Sequence, residues 1–163
     1  MNDFASSYVG QLRKIIGNRL LLAPGARIVI QDDRQRVLLQ KRSDFNIWGL
    51  PGGNAEEGED ILSIIVREVE EETSLRVLDA KPFGFGSSPS LETCIYPNGD
   101  RAQHFVLNFF SRRFEGTAKV ADDESLDMQW FPIDQLPDDI LPNMLESIKA
   151  YQRFLASGEF QLF

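Results

Sequence analysis

Four glutamates, Glu68, Glu70, Glu71 and Glu72, fall within five positions near the end of GGNAEEGEDILSIIVREVEEETSL, the stretch from Gly52 to Leu75. Like charges at that density repel one another and add nothing to an apolar core. A fold that keeps them on one helix needs a countercharge, which a divalent cation would supply. The pattern predicts a helix from Asp60 to about Thr73, with Leu62, Ile65, Val66 and Val69 as its buried stripe. Glu68, Glu71 and Glu72 stand at i, i+3 and i+4, so their carboxylates converge beside that stripe, on the side of Ile61 and Ile64. Glu70 projects elsewhere and reads as solvated.

The rest of the composition narrows the cation. Cys94 is the single cysteine and His104 the single histidine, so no internal disulfide and no thiolate cluster can form. His104, at the start of a strand, reads as structural. A carboxylate-rich site selects hard cations, which points to Mg²⁺, with Mn²⁺ as a substitute, and away from zinc. With 25 acidic against 17 basic residues the formal charge is −8, which argues against a nucleic-acid polymer as partner. A small phosphorylated substrate stays open once metal neutralises it. The chemistry expected is metal-assisted attack of water on a phosphoanhydride.

At 163 residues the chain reads as one α/β domain over 1–163, with residues 1–23 as a helical extension within it. Tyr8, Leu12, Ile15 and Ile16 recur at helical spacing; that short helix covers one end of the core or supplies a homodimer contact. The start MNDFASSYVGQ lacks the pattern of a signal peptide and no apolar run suits a membrane span, so a cytoplasmic location is expected. After Pro24-Gly25, strands at 26–31 and 36–42 flank the turn Asp32-Asp33 and are expected to pair as a hairpin. Lys41 and Arg42 close the second strand, where Arg42 is a candidate contact for substrate phosphate. Pro51 and the glycines of Trp48-Gly49-Leu50-Pro51-Gly52-Gly53 allow the backbone to approach a ligand closely, with Trp48 as a candidate substrate contact. Further strands are expected at 76–86, 93–96, 103–112 and 126–131. A Gly- and Ser-rich loop spans 83–90, Pro97-Asn98-Gly99-Asp100 is a turn, and Ala121-Asp122-Asp123-Glu124 is an acidic loop. A second amphipathic helix is predicted over 141–154.

These residues resemble the signature of the Nudix hydrolases, G-x5-E-x7-R-E-U-x-E-E-x-G-U with U aliphatic. Gly53, Glu59, Arg67, Glu68, Val69, Glu71, Glu72 and Leu75 match it in register, and Ser74 replaces the second glycine. The resemblance implies an α/β/α sandwich with a mixed sheet, a catalytic loop-helix, a short N-terminal helix and a C-terminal helix. It further implies Glu68, Glu71, Glu72 and the Gly52 carbonyl as metal ligands, Glu68 as general base, and Glu59 and Arg67 as supports. In some relatives a glutamate shortly before a late Trp strand adds a ligand or base, a place that Glu124 takes before Trp130. The implied activity is hydrolysis of a nucleoside diphosphate linked to another moiety, such as ADP-ribose or a nucleotide sugar. Nucleoside triphosphates, oxidised ones included, are the alternative, and nucleotide sensing without hydrolysis a third use of such domains. Domains of that last kind commonly lose parts of the signature, whereas every acidic position is present here.

Overall fold

The computed structural model describes residues 4–163, so the first three residues of the expected N-terminal extension lie outside the described residues. Asp60 starts the acidic helix α2 (Ile61–Thr73) by accepting the N–H groups of Leu62 and Ser63 at 3.0 and 2.9 Å. Those amides have no partner within the helix, which is why a short acidic side chain is favoured there. At the other end Ser74 takes the left-handed conformation, φ 60° and ψ 12°, and its N–H closes on the Glu70 carbonyl at 3.1 Å. Glycine adopts that geometry without strain, while a side chain there costs about 1 kcal/mol. Ser74→Gly is therefore expected to raise stability by about 0.5–1 kcal/mol, the relief being reduced by the extra freedom glycine gives the unfolded chain. Urea unfolding checks this as a higher midpoint at unchanged slope.

The buried face of α2 is Ile64, Ile65, Val69, Glu72 and Thr73. It differs from the expected stripe, since Leu62 and Val66 are 47% and 38% exposed. Hydrogen bonds from Gln40 and Gly52 hold Glu72 inward, which turns the acidic flank toward the protein and carries Leu62 and Val66 outward. Ile64 and Ile65 pack with Ile28, Ile30 and Leu38.

Strand β1 (Leu21–Ile30) and strand β8 (Arg101–Ser111) run parallel in unbroken register from Leu21↔Ala102 to Ile30↔Ser111. On its other edge β1 takes β4 (Gly52–Asn54) antiparallel. Strand β6 (Lys81–Gly86), β7 (Thr93–Ile95) and β11 (Gln161–Leu162) complete a mixed six-stranded sheet. A second sheet has β10 (Ser125–Pro132), β2 (Arg36–Arg42) and β3 (Trp48–Gly49) in that order, and β5 (Arg76–Val77) pairs with β9 (Phe114–Glu115) in a separate ribbon. One apolar cluster lies under α2, and a second, built around Val29, Phe83, Ile148 and Tyr151, lies under the C-terminal helix α4 (Pro142–Ser157). The result is the α/β/α sandwich with a mixed sheet. Among the described residues no helix is long and apolar enough to cross a membrane.

Three local expectations are corrected. β1 and β2 do not form a hairpin: they meet at a single bridge, Gln31↔Val37, and diverge into different sheets. β8 takes one edge of β1 along its whole length and β4 takes the other at Gly25–Arg27, while β2 pairs with β10 and β3. Pro24-Gly25 lies inside β1 and does not precede it. Pro24 still offers its carbonyl, to the Ala55 N–H at 3.0 Å, and Gly25 lets the Gly53 carbonyl come where a Cβ would sit. The stretch 76–86 is two strands, because β5 follows β9 while β6 follows β8, and the loop after it contains a short helix α3 (Pro89–Glu92).

Candidate active site

Arg67 leaves the middle of α2 and forms a two-pronged ion pair with Glu59, Nε to Oε1 at 2.6 Å and Nη2 to Oε2 at 2.9 Å. Such paired bonds fix orientation as well as charge. The guanidinium also reaches Glu68 at 2.9 Å and Glu71 at 3.1 Å through Nη1. Arg67 thus ties the loop before the helix to two of the expected ligands, and its hydrogen bonds, aided by the Glu56 N–H and by its charge, hold the Glu59 carboxyl below its usual range against burial.

Glu72 is 2% exposed and accepts two hydrogen bonds, from the Gln40 side-chain amide and from the Gly52 N–H, each at 3.0 Å. Gln40 is oriented in turn by the Ser125 hydroxyl, which donates to its carbonyl oxygen at 2.8 Å. Burial, then the neighbouring charge of Glu68, raises the Glu72 pKa well above its ordinary value against these two donors. Burial likewise lifts Glu68 to about 7, with Arg67 opposing and Glu124 and Glu71 adding to the rise. Gly53 stands so close to Glu68 that a Cβ there would run into its carboxylate. Glycine is required at Gly52 for another reason: at φ 152° a Cβ would strike the Ala26 carbonyl of β1.

The loop before β10 is drawn over this cluster from both sides. Lys119 and Ala121 N–H groups bond the carbonyls of Thr73 and Glu72 at the end of α2, and Ser43 N–H donates to the Glu124 carbonyl at 2.8 Å. Burial raises the Glu124 carboxyl as well. The fold therefore brings Glu68, Glu71 and Glu124 to one cavity of about 930 Å³, which Gly52, Arg67 and Arg42 also line. Arg42 is held there by Asp44 at 2.6 Å. Trp48 lies elsewhere: it is 7% exposed and packs edge-on against Phe131 with ring centres 4.9 Å apart, so the geometry assigns it to the core.

Two features escaped the sequence reading. Gln40 lies in the buried run Val37–Gln40 of β2, and a polar residue in such a run is itself the signal of a buried partner. Arg27, inside the apolar strand β1, forms a two-pronged pair with Glu92 at 3.0 Å, braced by Ser147 at 2.8 Å and, on Glu92, by Asn143 at 3.2 Å. It locks α3 and α4 to the floor of the cavity.

Hard oxygen donors, their buried negative charge and the close glycine backbone fit a divalent cation of the Mg²⁺ type. Among the described residues no three acidic, histidine or cysteine groups form a preassembled cage.

A family model described as NUDIX domain matches residues 21–154. The putative 8-oxo-dGTP diphosphatase of Bacillus subtilis is 29% identical over 130 residues, covering 78% of this chain and 78% of its own. The ADP-ribose pyrophosphatase of Methanocaldococcus jannaschii is 28% identical over 144 residues, covering 84% of this chain and 80% of its own. Among solved structures, a MutT NUDIX hydrolase from Burkholderia pseudomallei superposes with a TM-score of 0.66 at 25% identity, over 80% of this chain and 98% of that one.

Proposed function

This chain belongs to the NUDIX family and is a hydrolase of phosphoanhydride bonds, and we propose that its substrate is a nucleoside diphosphate linked to a second moiety, such as ADP-ribose or a nucleotide sugar. The observation that carries the proposal is the size and lining of the cavity. At about 930 Å³ it stands near the upper end of the range of small-molecule sites, roughly 300–1,000 Å³. It joins the carboxylates to a wall that includes Phe45, Tyr96, Leu141 and Met144, which suits a group on each side of a diphosphate.

In this reading Glu68, Glu71, Glu72 and the Gly52 carbonyl would hold Mg²⁺ or Mn²⁺, with Glu124 as a further donor or base. When bound, the cation would supply charge to offset that developing on the phosphate oxygens and would acidify water. Glu68 takes the proton from the attacking water. Water adds to one phosphorus, the bridging P–O bond breaks, and two phosphate monoesters leave. Arg67 and Glu59 hold the carboxylates in place, and Arg42 neutralises substrate phosphate.

The similarity to a relative named for 8-oxo-dGTP makes an oxidised nucleoside triphosphate the second reading. A panel of both classes with Mg²⁺, resolved by chromatography of products, separates them. ADP-ribose is expected to yield AMP and ribose 5-phosphate with kcat/KM at least about ten-fold above any triphosphate, and a metal chelator is expected to abolish release. Equal or faster turnover of triphosphates would overturn the first reading.

A further inference from the structure

His104, the single histidine of the chain, lines the same cavity as Glu68 and Glu71, together with its neighbours on one face of β8, Ala102 and Val106. Its register partner on β1 is Ala23, whereas Gly53, beside Glu68, pairs with Ala26. Three residues of strand and two strand spacings therefore separate His104 from the carboxylates, about 14 Å across the sheet. A diphosphate held at the carboxylates does not extend that far, but a nucleoside attached to it does.

Charge is balanced pair by pair at this end of the cavity. Arg27 is paired with Glu92 at 3.0 Å, and Arg13 of helix α1 (Tyr8–Ile16), which donates to the Arg101 carbonyl at 2.6 Å, stands 3.7 Å from Asp100. His104 adds no charge of its own, since burial and then the Arg27 guanidinium push its imidazole down to about 4, against Glu92. The ring is oriented by Tyr96, whose hydroxyl lies 3.2 Å from Nε2 and keeps its proton, being raised to about 12 by burial. Neither side chain has another hydrogen-bond partner among the described residues. With the hydroxyl donating to Nε2, only the Nδ1–H is left unmatched; the other tautomer leaves both the hydroxyl proton and Nδ1 unmatched. The first arrangement leaves fewer groups without a partner, so Nδ1–H is the group presented. Among the described residues no side-chain nitrogen or oxygen other than Arg13 Nε is both sealed from solvent and unpartnered, so His104 Nδ1 is open to a ligand in the cavity.

The wall beside it is aromatic. Phe45 and Tyr96 line the cavity with ring centres 5.5 Å apart and planes tilted by 37°. A charge-balanced end with aromatic rings and one neutral donor suits a flat heterocycle that carries an acceptor at its edge, whereas a sugar, whose hydroxyls donate as well as accept, needs more polar partners. We propose that His104 is a specificity residue which donates from Nδ1–H to a ring nitrogen or carbonyl of the substrate's base, with Phe45 and Tyr96 as the stacking wall. This places the nucleoside, and not the second moiety, at the β8 end of the cavity. The inference rests on the nucleotide-hydrolase reading above.

The amide of an asparagine can occupy the place of Nδ1, and that of a glutamine the place of Nε2. His104→Gln is expected to raise KM for ADP-ribose about ten-fold, with kcat within about two-fold and inhibition by inorganic pyrophosphate unchanged. His104→Asn, which keeps a donor at the Nδ1 position, is expected to stay within about three-fold of the wild type on all three. Because the chain has one histidine, its ring nitrogen resonances report the contact without a variant. Nδ1 is expected to shift on adding AMP with Mg²⁺, and to stay in place on adding ribose 5-phosphate or pyrophosphate. An unchanged KM in His104→Gln, equal defects in the two variants, a loss of pyrophosphate inhibition as large as the change in KM, or a resonance that ignores AMP or follows ribose 5-phosphate equally would overturn the proposal. If the wild-type protein hydrolyses no nucleotide, the reading of function fails separately. The resonance then decides the role of His104 alone: a shift with AMP and not with ribose 5-phosphate supports it, and any other result overturns it.

Discussion

Glu68→Gln is expected to lower turnover by at least about 10³-fold while making the metal-free protein more stable at pH 8. The two effects have one cause. Burial lifts the Glu68 carboxyl from 4.5 to about 7, so between those values the folded protein holds a proton that the unfolded chain releases. The stabilisation from that proton is present below the unfolded value and is lost as pH rises through the folded one. Above pH 7 the wild-type protein carries a buried, ionised Glu68 at a cost on the order of 3 kcal/mol. Glutamine carries no such cost, but it cannot act as a base or supply ligand charge. Thermal unfolding without metal at pH 5 and pH 8, beside steady-state rates, measures both. A variant retaining a tenth of wild-type turnover, or one whose stability falls with pH as steeply as the wild type's, would reassign Glu68 to support alone.

Gly53→Ala is expected to cut turnover by roughly 100-fold while changing stability by less than about 1 kcal/mol. The added methyl group meets the end of the Glu68 side chain, not backbone. That carboxylate can swing aside at little cost to the fold, yet a displacement of about 1 Å is enough to cost two orders of magnitude in rate. Gly52→Ala makes the contrast, since there the methyl group strikes the β1 backbone. Rate and urea midpoint measured together distinguish the cases. A Gly53→Ala enzyme with normal turnover would show that the position of Glu68 is not critical.

Features governed by near neighbours were legible in the sequence. Asp60 as helix start, the end of the helix at Ser74 and Glu70 toward solvent follow from spacing along one helix, and the Glu59–Arg67 pair was implied by the family resemblance. What depended on distant partners was not. Nothing in residues 26–42 says that β1 takes its neighbour from residues 102–111, so the nearer strand β2 looked like its mate. The rotation of α2 was hidden for the same reason: Gln40 and Gly52, not the apolar period, hold Glu72 inward. Trp48, adjacent to the glycines in sequence, points into the core because β3 pairs with β2 and packs on Phe131.

The long parallel register of β1 with β8 also dictates an order of events during synthesis. Parallel strands require a crossover, and here some seventy residues, Gln31 to Asp100, lie between the two strands. A nascent chain ending before Arg101 can form the acidic helix, yet it has no neighbour for the inner edge of β1, and Arg13 lacks its Arg101 anchor. Because the loop must close before its contacts are rewarded, folding should be slow for a domain of this size. A ribosome paused before residue 101 should therefore hold a chain that is readily digested by protease, and resistance should emerge only after β8 has left the exit tunnel.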